Sequence, residues 1–319
     1  MIPIILALPA FLIGVVFLWK GSDILVDGTS KTAAQLGVSS LIISVLLVGF
    51  GTSAPEFAIS VGAAYQGDSG ISLGNVIGSC VANILLVLGI ASVIKPIKIE
   101  HGIIKREAPI LLGATVVLLF ASYFGLLDKY HLIGGIIFLI LFVLFVYFFI
   151  SCAKKERAIN NKYEKGKTQK NILLIILGTI GVVAGAWFLI ESAVVIAEYF
   201  GVPTFLIAIS MVAIGTSIPE LVVSSMAAYK EESNIAVGNV LGSNVFNILM
   251  ILGVAALFIP LNASKSEIHV HLLILLGVTI LIFPIIYSGK IISRKEGVIM
   301  IFLYSVFIWY TFFGYGLFF

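Results

Sequence analysis

The chain has 319 residues, of which 60% are hydrophobic and 11% charged, with a formal net charge of +3 and a mean hydropathy of +1.17. Soluble domains carry about a quarter charged residues, so the composition excludes an ordinary soluble protein and indicates a multi-pass protein of the lipid bilayer. The basic residues are spread over loops, which argues against nucleic acid as a partner, and Cys80 and Cys152 suggest neither a disulfide framework nor a thiolate metal cluster.

The first apolar run, Ile2–Trp19, has no basic segment before it and no small-residue cleavage pattern, so it reads as a first span rather than a signal peptide. Nine more runs follow: Leu36–Ala64, Ile71–Ile94, Pro109–Leu126, Leu132–Ser151, Asn171–Ile196, Pro203–Ala228, Ile235–Ile259, His271–Tyr287 and Gly297–Phe318. Each is long enough to cross a hydrocarbon core at 1.5 Å per helical residue. The expected fold is therefore an all-α membrane protein of ten transmembrane helices. The one hydrophilic stretch, around residues 153–170, carries seven lysines and arginines and reads as a solvated linker.

Basic loops stay cytoplasmic. With the linker inside, sixteen of the nineteen lysines and arginines fall inside; Lys129 and Lys265 fall outside, and Lys20 sits at a helix end. This predicts a plasma-membrane protein with a cytoplasmic central loop and both termini outside.

A shift of 164 residues aligns the chain with itself. GTSAPE (Gly51–Glu56) falls on GTSIPE (Gly215–Glu220), and GNVIGSCVANILLVLG (Gly74–Gly89) falls on GNVLGSNVFNILMILG (Gly238–Gly253). Five spans per half is an odd number, so the second copy enters the membrane the other way up. The expected organisation is two inverted-topology repeats, 1–152 and 171–319, joined by the 153–170 linker. Carriers of this kind bind substrate near the midplane, at the interface between repeats.

Each GTS-x-PE block places a carboxylate, Glu56 or Glu220, deep in an apolar span, where an acid is costly and usually marks an ion or proton path. Read as helix, Thr52 and Ser53 share a face with Glu56, and Thr216 and Ser217 share one with Glu220. Pro55 and Pro219 should free the carbonyls of Gly51 and Gly215. Carboxylate, hydroxyl and backbone oxygens together form a ligand set for a hard cation. In the second blocks, Ser79 with Asn83 and Ser243 with Asn247 add a hydroxyl and an amide at i,i+4 spacing, and the Gly-xxx-Gly pairs allow close helix approach. Asp23, Asp27, Glu191 and Glu198 lie near predicted helix ends, within reach of the interface. His269 and His271 read as interfacial, so a transition-metal site is disfavoured.

With these paired motifs the sequence resembles the cation/calcium antiporter superfamily, and within it the prokaryotic-type sodium/calcium exchangers, over nearly the whole chain. The proton/calcium branch carries a different signature where this chain has GTS-x-PE. The resemblance implies that Glu56, Glu220, Thr52 and Thr216 form a central calcium site. It also implies that Ser53, Ser79, Ser217 and Ser243, with carbonyls near Gly49 and Ala213, line flanking sodium sites, and that Asn83 and Asn247 complete the cluster. Some relatives, the potassium-dependent exchangers among them, have aspartate where this chain has Asn247, which argues against potassium co-transport.

The implied function is secondary antiport of Na⁺ against Ca²⁺ by alternating access, with spans one and six sliding past the site. Exchange of about three sodium ions for each calcium would move one charge, worth roughly 2.3 kcal/mol per 100 mV. No cofactor, enzymatic activity or obligatory protein partner is expected beyond the transported Ca²⁺ and Na⁺. The nearest alternative is Ca²⁺/H⁺ exchange on the same two glutamates, so H⁺ stays open as the counter-ion; a paired-Glu channel and an intramembrane enzyme fit less well.

Overall fold

A computed structural model of the chain describes residues 4–99, 106–159, 168–200, 214–262 and 266–314. The described residues are almost wholly helical. In chain order the helices are α1 (Ile4–Leu36), α2 (Ser40–Thr52), α3 (Ala54–Tyr65), α4 (Ser69–Ile94), α5 (Ala108–Tyr123), α6 (His131–Ile159), α7 (Thr168–Tyr199), α8 (Ile218–Tyr229), α9 (Ser233–Phe258), α10 (Ser266–Gly289) and α11 (Arg294–Trp309). Seven of these are long and apolar enough to cross a membrane, or eight if the bent pair α2–α3 counts as one span; α5 is apolar but shorter. The seventh predicted span is described only from Ile214 onward.

Two short strands add to the all-helical expectation. Residues Ile97–Lys98 (β1) pair antiparallel with Ile291–Ile292 (β2), tying the chain after α4 to the link between α10 and α11.

The helices α4 and α9 are the centre of the molecule, with 72% and 83% of their most apolar windows buried, against 28% for α1, α6, α7 and α10. The outer helices turn large apolar side chains such as Ile5, Leu8, Leu12, Ile140, Val143 and Phe302 outward, as a lipid-facing surface requires.

Helix α1 is much longer than the predicted Ile2–Trp19. Lys20, Asp23 and Asp27 interrupt the apolar run but not the helix, because the aspartates find a partner. Lys230, in the turn after α8, pairs with Asp23 and with Asp27 (2.6 Å), and Ser30 donates to Glu232 at 2.6 Å. The helix ends at Gly37, whose φ of +68° and bond from Val38 N to Ala33 O form a left-handed cap. Likewise α6 continues to Ile159 and α7 begins at Thr168, so helix extends into both ends of the predicted linker.

Helices α1 and α7 pack antiparallel, backbone against backbone. A Cβ on Gly14 would lie 2.7 Å from Leu189 N, one on Gly21 2.7 Å from Val182 N, and one on Gly28 3.0 Å from Ile175 N. From the other side, a Cβ on Gly178 would meet Leu25 N at 2.6 Å and one on Gly185 would meet Leu18 N at 2.7 Å. Glycine every seven residues on α1 keeps one face in register with the partner, and only the lack of side chains permits this approach.

Candidate cation site

The sequence reading placed Thr52, Ser53 and Glu56 on one continuous helix. The structure corrects this: α2 and α3 meet at a 49° bend, with Ser53 between them at φ −80°, ψ 12°. Pro55 lies in the first turn of α3, where its missing N–H costs nothing, and does not distort a helix interior. Glu56 and Glu220 then fall in the first turns of α3 and α8, where the helix dipole favours a negative charge. Ser217, at φ −85° and ψ 6°, repeats the Ser53 break before α8. The carbonyl turned to a neighbouring helix is that of Gly49, which accepts from Ser243 Oγ at 3.0 Å. A Cβ on Gly49 would lie 2.8 Å from Ser243 N, so a residue without a side chain brings α2 against α9.

Thr52, Ser53, Glu56, Ser79, Asn83, Thr216, Ser217, Glu220, Ser243 and Asn247 are all buried, both glutamates completely. Ser53 Oγ donates to Glu220 Oε1 at 2.9 Å, and Ser243 Oγ reaches the same oxygen at 3.3 Å. Ser79 and Thr216 hydroxyls are 3.2 Å apart, and Thr52 and Ser243 are 3.4 Å apart. Ala213, the remaining predicted ligand, lies outside the described residues.

The contacts are reciprocal across the 164-residue offset: Thr52 meets Ser243 and Thr216 meets Ser79.

Two asparagines that sequence reasoning passed over set the direction of the threonine hydroxyls. Asn239 Nδ2 donates to the Glu220 carbonyl (3.3 Å) and Ser224 Oγ (3.0 Å), leaving Oδ1 to accept from Thr52 at 3.0 Å. Asn75 repeats the pattern with the Glu56 carbonyl (3.3 Å), Ser60 (2.8 Å) and Thr216 (3.3 Å). A carbonyl can only accept, so each amide keeps its nitrogen on the glutamate carbonyl and its oxygen toward the threonine hydroxyl, which donates to it. Each threonine oxygen, though contacted by a serine hydroxyl, can still present a lone pair. The signal was available: Asn75 and Asn239 occupy the same place in the two GNV blocks.

Several oxygens in this cluster, and the Asn247 amide nitrogen with them, make no hydrogen bond. Glu56 Oε1 and Oε2, Glu220 Oε2, Asn83 Oδ1, Asn247 Oδ1 and Ser217 Oγ are buried without a hydrogen-bond partner. An unsatisfied buried carboxylate costs several kcal/mol, roughly, so a set of them around two acids fits oxygen ligation of a cation. Ca²⁺ takes about 6–8 oxygens of these kinds. No group of three or more His, Cys, Asp or Glu that could hold a metal occurs among the described residues, so the donors are mostly neutral oxygens. Asn83 opens one π-helical turn (Asn83–Val87) and Asn247 lies in another (Phe246–Ile251), a local widening often found at functional sites.

The family model described as sodium/calcium exchanger protein matches residues 6–151 and 170–313. The chain is 33% identical to a sodium/calcium exchanger, MaX1, of Methanosarcina acetivorans, covering 93% of this chain and 96% of that protein. It is 34% identical to an uncharacterized membrane protein of Methanocaldococcus jannaschii, covering 95% and 97%. Among solved structures it is similar to the sodium-calcium exchanger NCX_Mj soaked with 100 mM Na⁺ and 10 mM Sr²⁺. That match has a TM-score of 0.82 and 32% identity, and covers 95% of this chain and 98% of that one.

Proposed function

The chain belongs to the sodium/calcium exchanger family, the prokaryotic type within the cation/calcium antiporter superfamily, whose members are membrane carriers rather than enzymes; from this we propose that it exchanges Na⁺ for Ca²⁺ through the Glu56–Glu220 site. The observation that carries the reading is the set of unpartnered oxygens around two wholly buried carboxylates.

Two ionised glutamates give the site a formal charge of −2, which one Ca²⁺ balances. Thr52 and Thr216, with their protons committed to Asn239 and Asn75, offer oxygen to the same ion. Sodium ions entering the flanking hydroxyls, Ser53, Ser79, Ser217 and Ser243, with the Gly49 carbonyl and its counterpart at Ala213, would compete for the same carboxylates. The two occupancies then exclude each other, which is the requirement for antiport. Asn247, a neutral amide, keeps the site at two formal negative charges and argues against a further monovalent cation.

The proposed topology is ten spans in two inverted halves, 1–152 and 171–319, with the 153–170 linker cytoplasmic and both termini outside. The reciprocal Thr52–Ser243 and Thr216–Ser79 contacts support it. Alternating access would move the glycine-seamed pair α1–α7 past the site. Thr179 of α7 lies against Gly51, where a Cβ would be 2.7 Å from its methyl group, so the pair touches the residue just before Thr52.

The test is calcium uptake into proteoliposomes. Uptake should follow an outward sodium gradient, and an inside-positive potential should speed it, since about one net positive charge leaves per cycle. Uptake driven by a proton gradient and indifferent to sodium would overturn the sodium assignment in favour of proton exchange. Leak of calcium with no counter-gradient would overturn antiport altogether.

A second expectation concerns the locking asparagines. Asn75→Leu and Asn239→Leu should each weaken apparent calcium affinity by about 10- to 100-fold, the range for groups that orient metal ligands. Calcium-concentration dependence of initial uptake measures this; affinity within twofold of the parent, roughly, would mean the threonine protons are not what these residues control.

A further inference from the structure

The two amides of the site are held differently. Asn244 Nδ2 donates to the Cys80 carbonyl at 3.1 Å, and a carbonyl can only accept, so the nitrogen of Asn244 is fixed there. Its Oδ1 is then the acceptor for Asn83 Nδ2 at 2.9 Å. With its nitrogen spent on Asn244, Asn83 turns its Oδ1 the other way, where it meets no donor. Asn83 is an amide whose oxygen end is set by a chain running back to the main chain.

The 164-residue offset maps Asn83 onto Asn247 and Asn244 onto Cys80. Where Asn83 meets an amide oxygen, Asn247 therefore faces a thiol. Sulfur is a weak acceptor, so this contact holds the amide only loosely, and neither amide atom of Asn247 makes a hydrogen bond of good geometry. Cys80 and Asn244 face each other, with Cys80 Sγ 3.8 Å from the Asn244 carbonyl, so the asymmetry sits at the contact between the two halves.

We propose that Asn244 is a positioning residue that makes Asn83 a fixed oxygen ligand, and that Cys80, at the equivalent place, leaves Asn247 free to turn. Rotation about the terminal Asn torsion is broad and roughly two-fold. Asn247 can give its oxygen to a bound cation and, when the cation has left, give its N–H groups to the carboxylates. One half of the site is then rigid and the other adjustable, and the residues at 80 and 244 decide which. The inference rests on the cation-exchange reading of this site.

The test exchanges the two residues and measures sodium-driven calcium uptake over a range of calcium concentrations. Asn244→Cys should raise the calcium KM by about tenfold while the rate at saturating calcium falls by no more than about threefold. Cys80→Asn should pin Asn247 as Asn83 is pinned, lowering the calcium KM and slowing turnover, each by about three- to tenfold. Cys80→Ser is nearly isosteric with a stronger acceptor; it should shift both constants in the direction of Cys80→Asn, and it serves if the larger substitution fails to fold.

Opposite KM shifts at 80 and 244 are not what a general folding defect produces. A parent protein that transports normally, with KM unmoved in Cys80→Ser and Asn244→Cys, would overturn the positioning roles alone. A parent that shows no cation-coupled calcium transport would overturn the reading of the site on which they rest.

Discussion

Glu56→Gln is expected to abolish coupled calcium transport while making the cation-free protein more stable. Both oxygens of Glu56 are buried and make no hydrogen bond of good geometry, with the Thr216 and Ser217 hydroxyls only nearby, whereas Glu220 Oε1 accepts from Ser53 and lies within reach of Ser243. Glutamine keeps the volume of Glu56 and removes its charge, so the cost of an unpaired buried carboxylate disappears. The gain should be about 1 kcal/mol or more, read as a melting temperature a few degrees higher in calcium- and sodium-free detergent. Transport should fall by at least about 100-fold, equivalent to roughly 2.8 kcal/mol of lost ion stabilisation. Glu220→Gln should lose transport to the same extent with less stabilisation, because its amide must rearrange the Ser53 and Ser243 hydroxyls. Robust transport in either variant would sink the site assignment, and a destabilised Glu56→Gln would show that the carboxylate is satisfied in the empty protein.

The second large effect is expected at the α1–α7 seam. Gly21→Leu and Gly178→Leu would drive side chains into main-chain atoms at 2.7 and 2.6 Å, and backbone cannot swing aside as a side-chain end can. Separating two helices along their length is a larger disturbance than ordinary overpacking, which costs about 1–3 kcal/mol. The melting temperature should drop by about 5 °C or more in detergent. Gly277→Ala in α10 is the control, since a Cβ there meets nothing within 4 Å; it should leave the melting temperature unchanged or raise it slightly through helix propensity. A seam variant as stable as the control would mean that the close approach is not needed for the fold.

Much of the candidate site was legible because its residues recur. Glu56 and Glu220, with their Thr-Ser neighbours, stand out as acids in apolar surroundings at one fixed offset. What hydropathy concealed was the length of α1: Asp23 and Asp27 end an apolar run, but their partner Lys230 is more than two hundred residues away in sequence and becomes visible only when α1 lies beside the turn after α8. The Ser53 break was hidden for a different reason. Pro55 signals a disturbed helix, yet a proline suits a first turn as well as it disturbs an interior, and spacing does not distinguish the two.

The sequence by itself determined a bilayer-embedded, helical, duplicated chain, the family to which it belongs, and the acids at its centre, because composition, apolar run length and motif recurrence are one-dimensional properties. Only the tertiary structure decided which oxygens are spent and which are free. Thr52 directs its hydroxyl hydrogen at Asn239, Asn83 is turned by Asn244, and Asn247 is held only loosely beside Cys80. A hydroxyl or an amide is donor or acceptor according to the group opposite it, and what lies opposite is settled when the two halves meet.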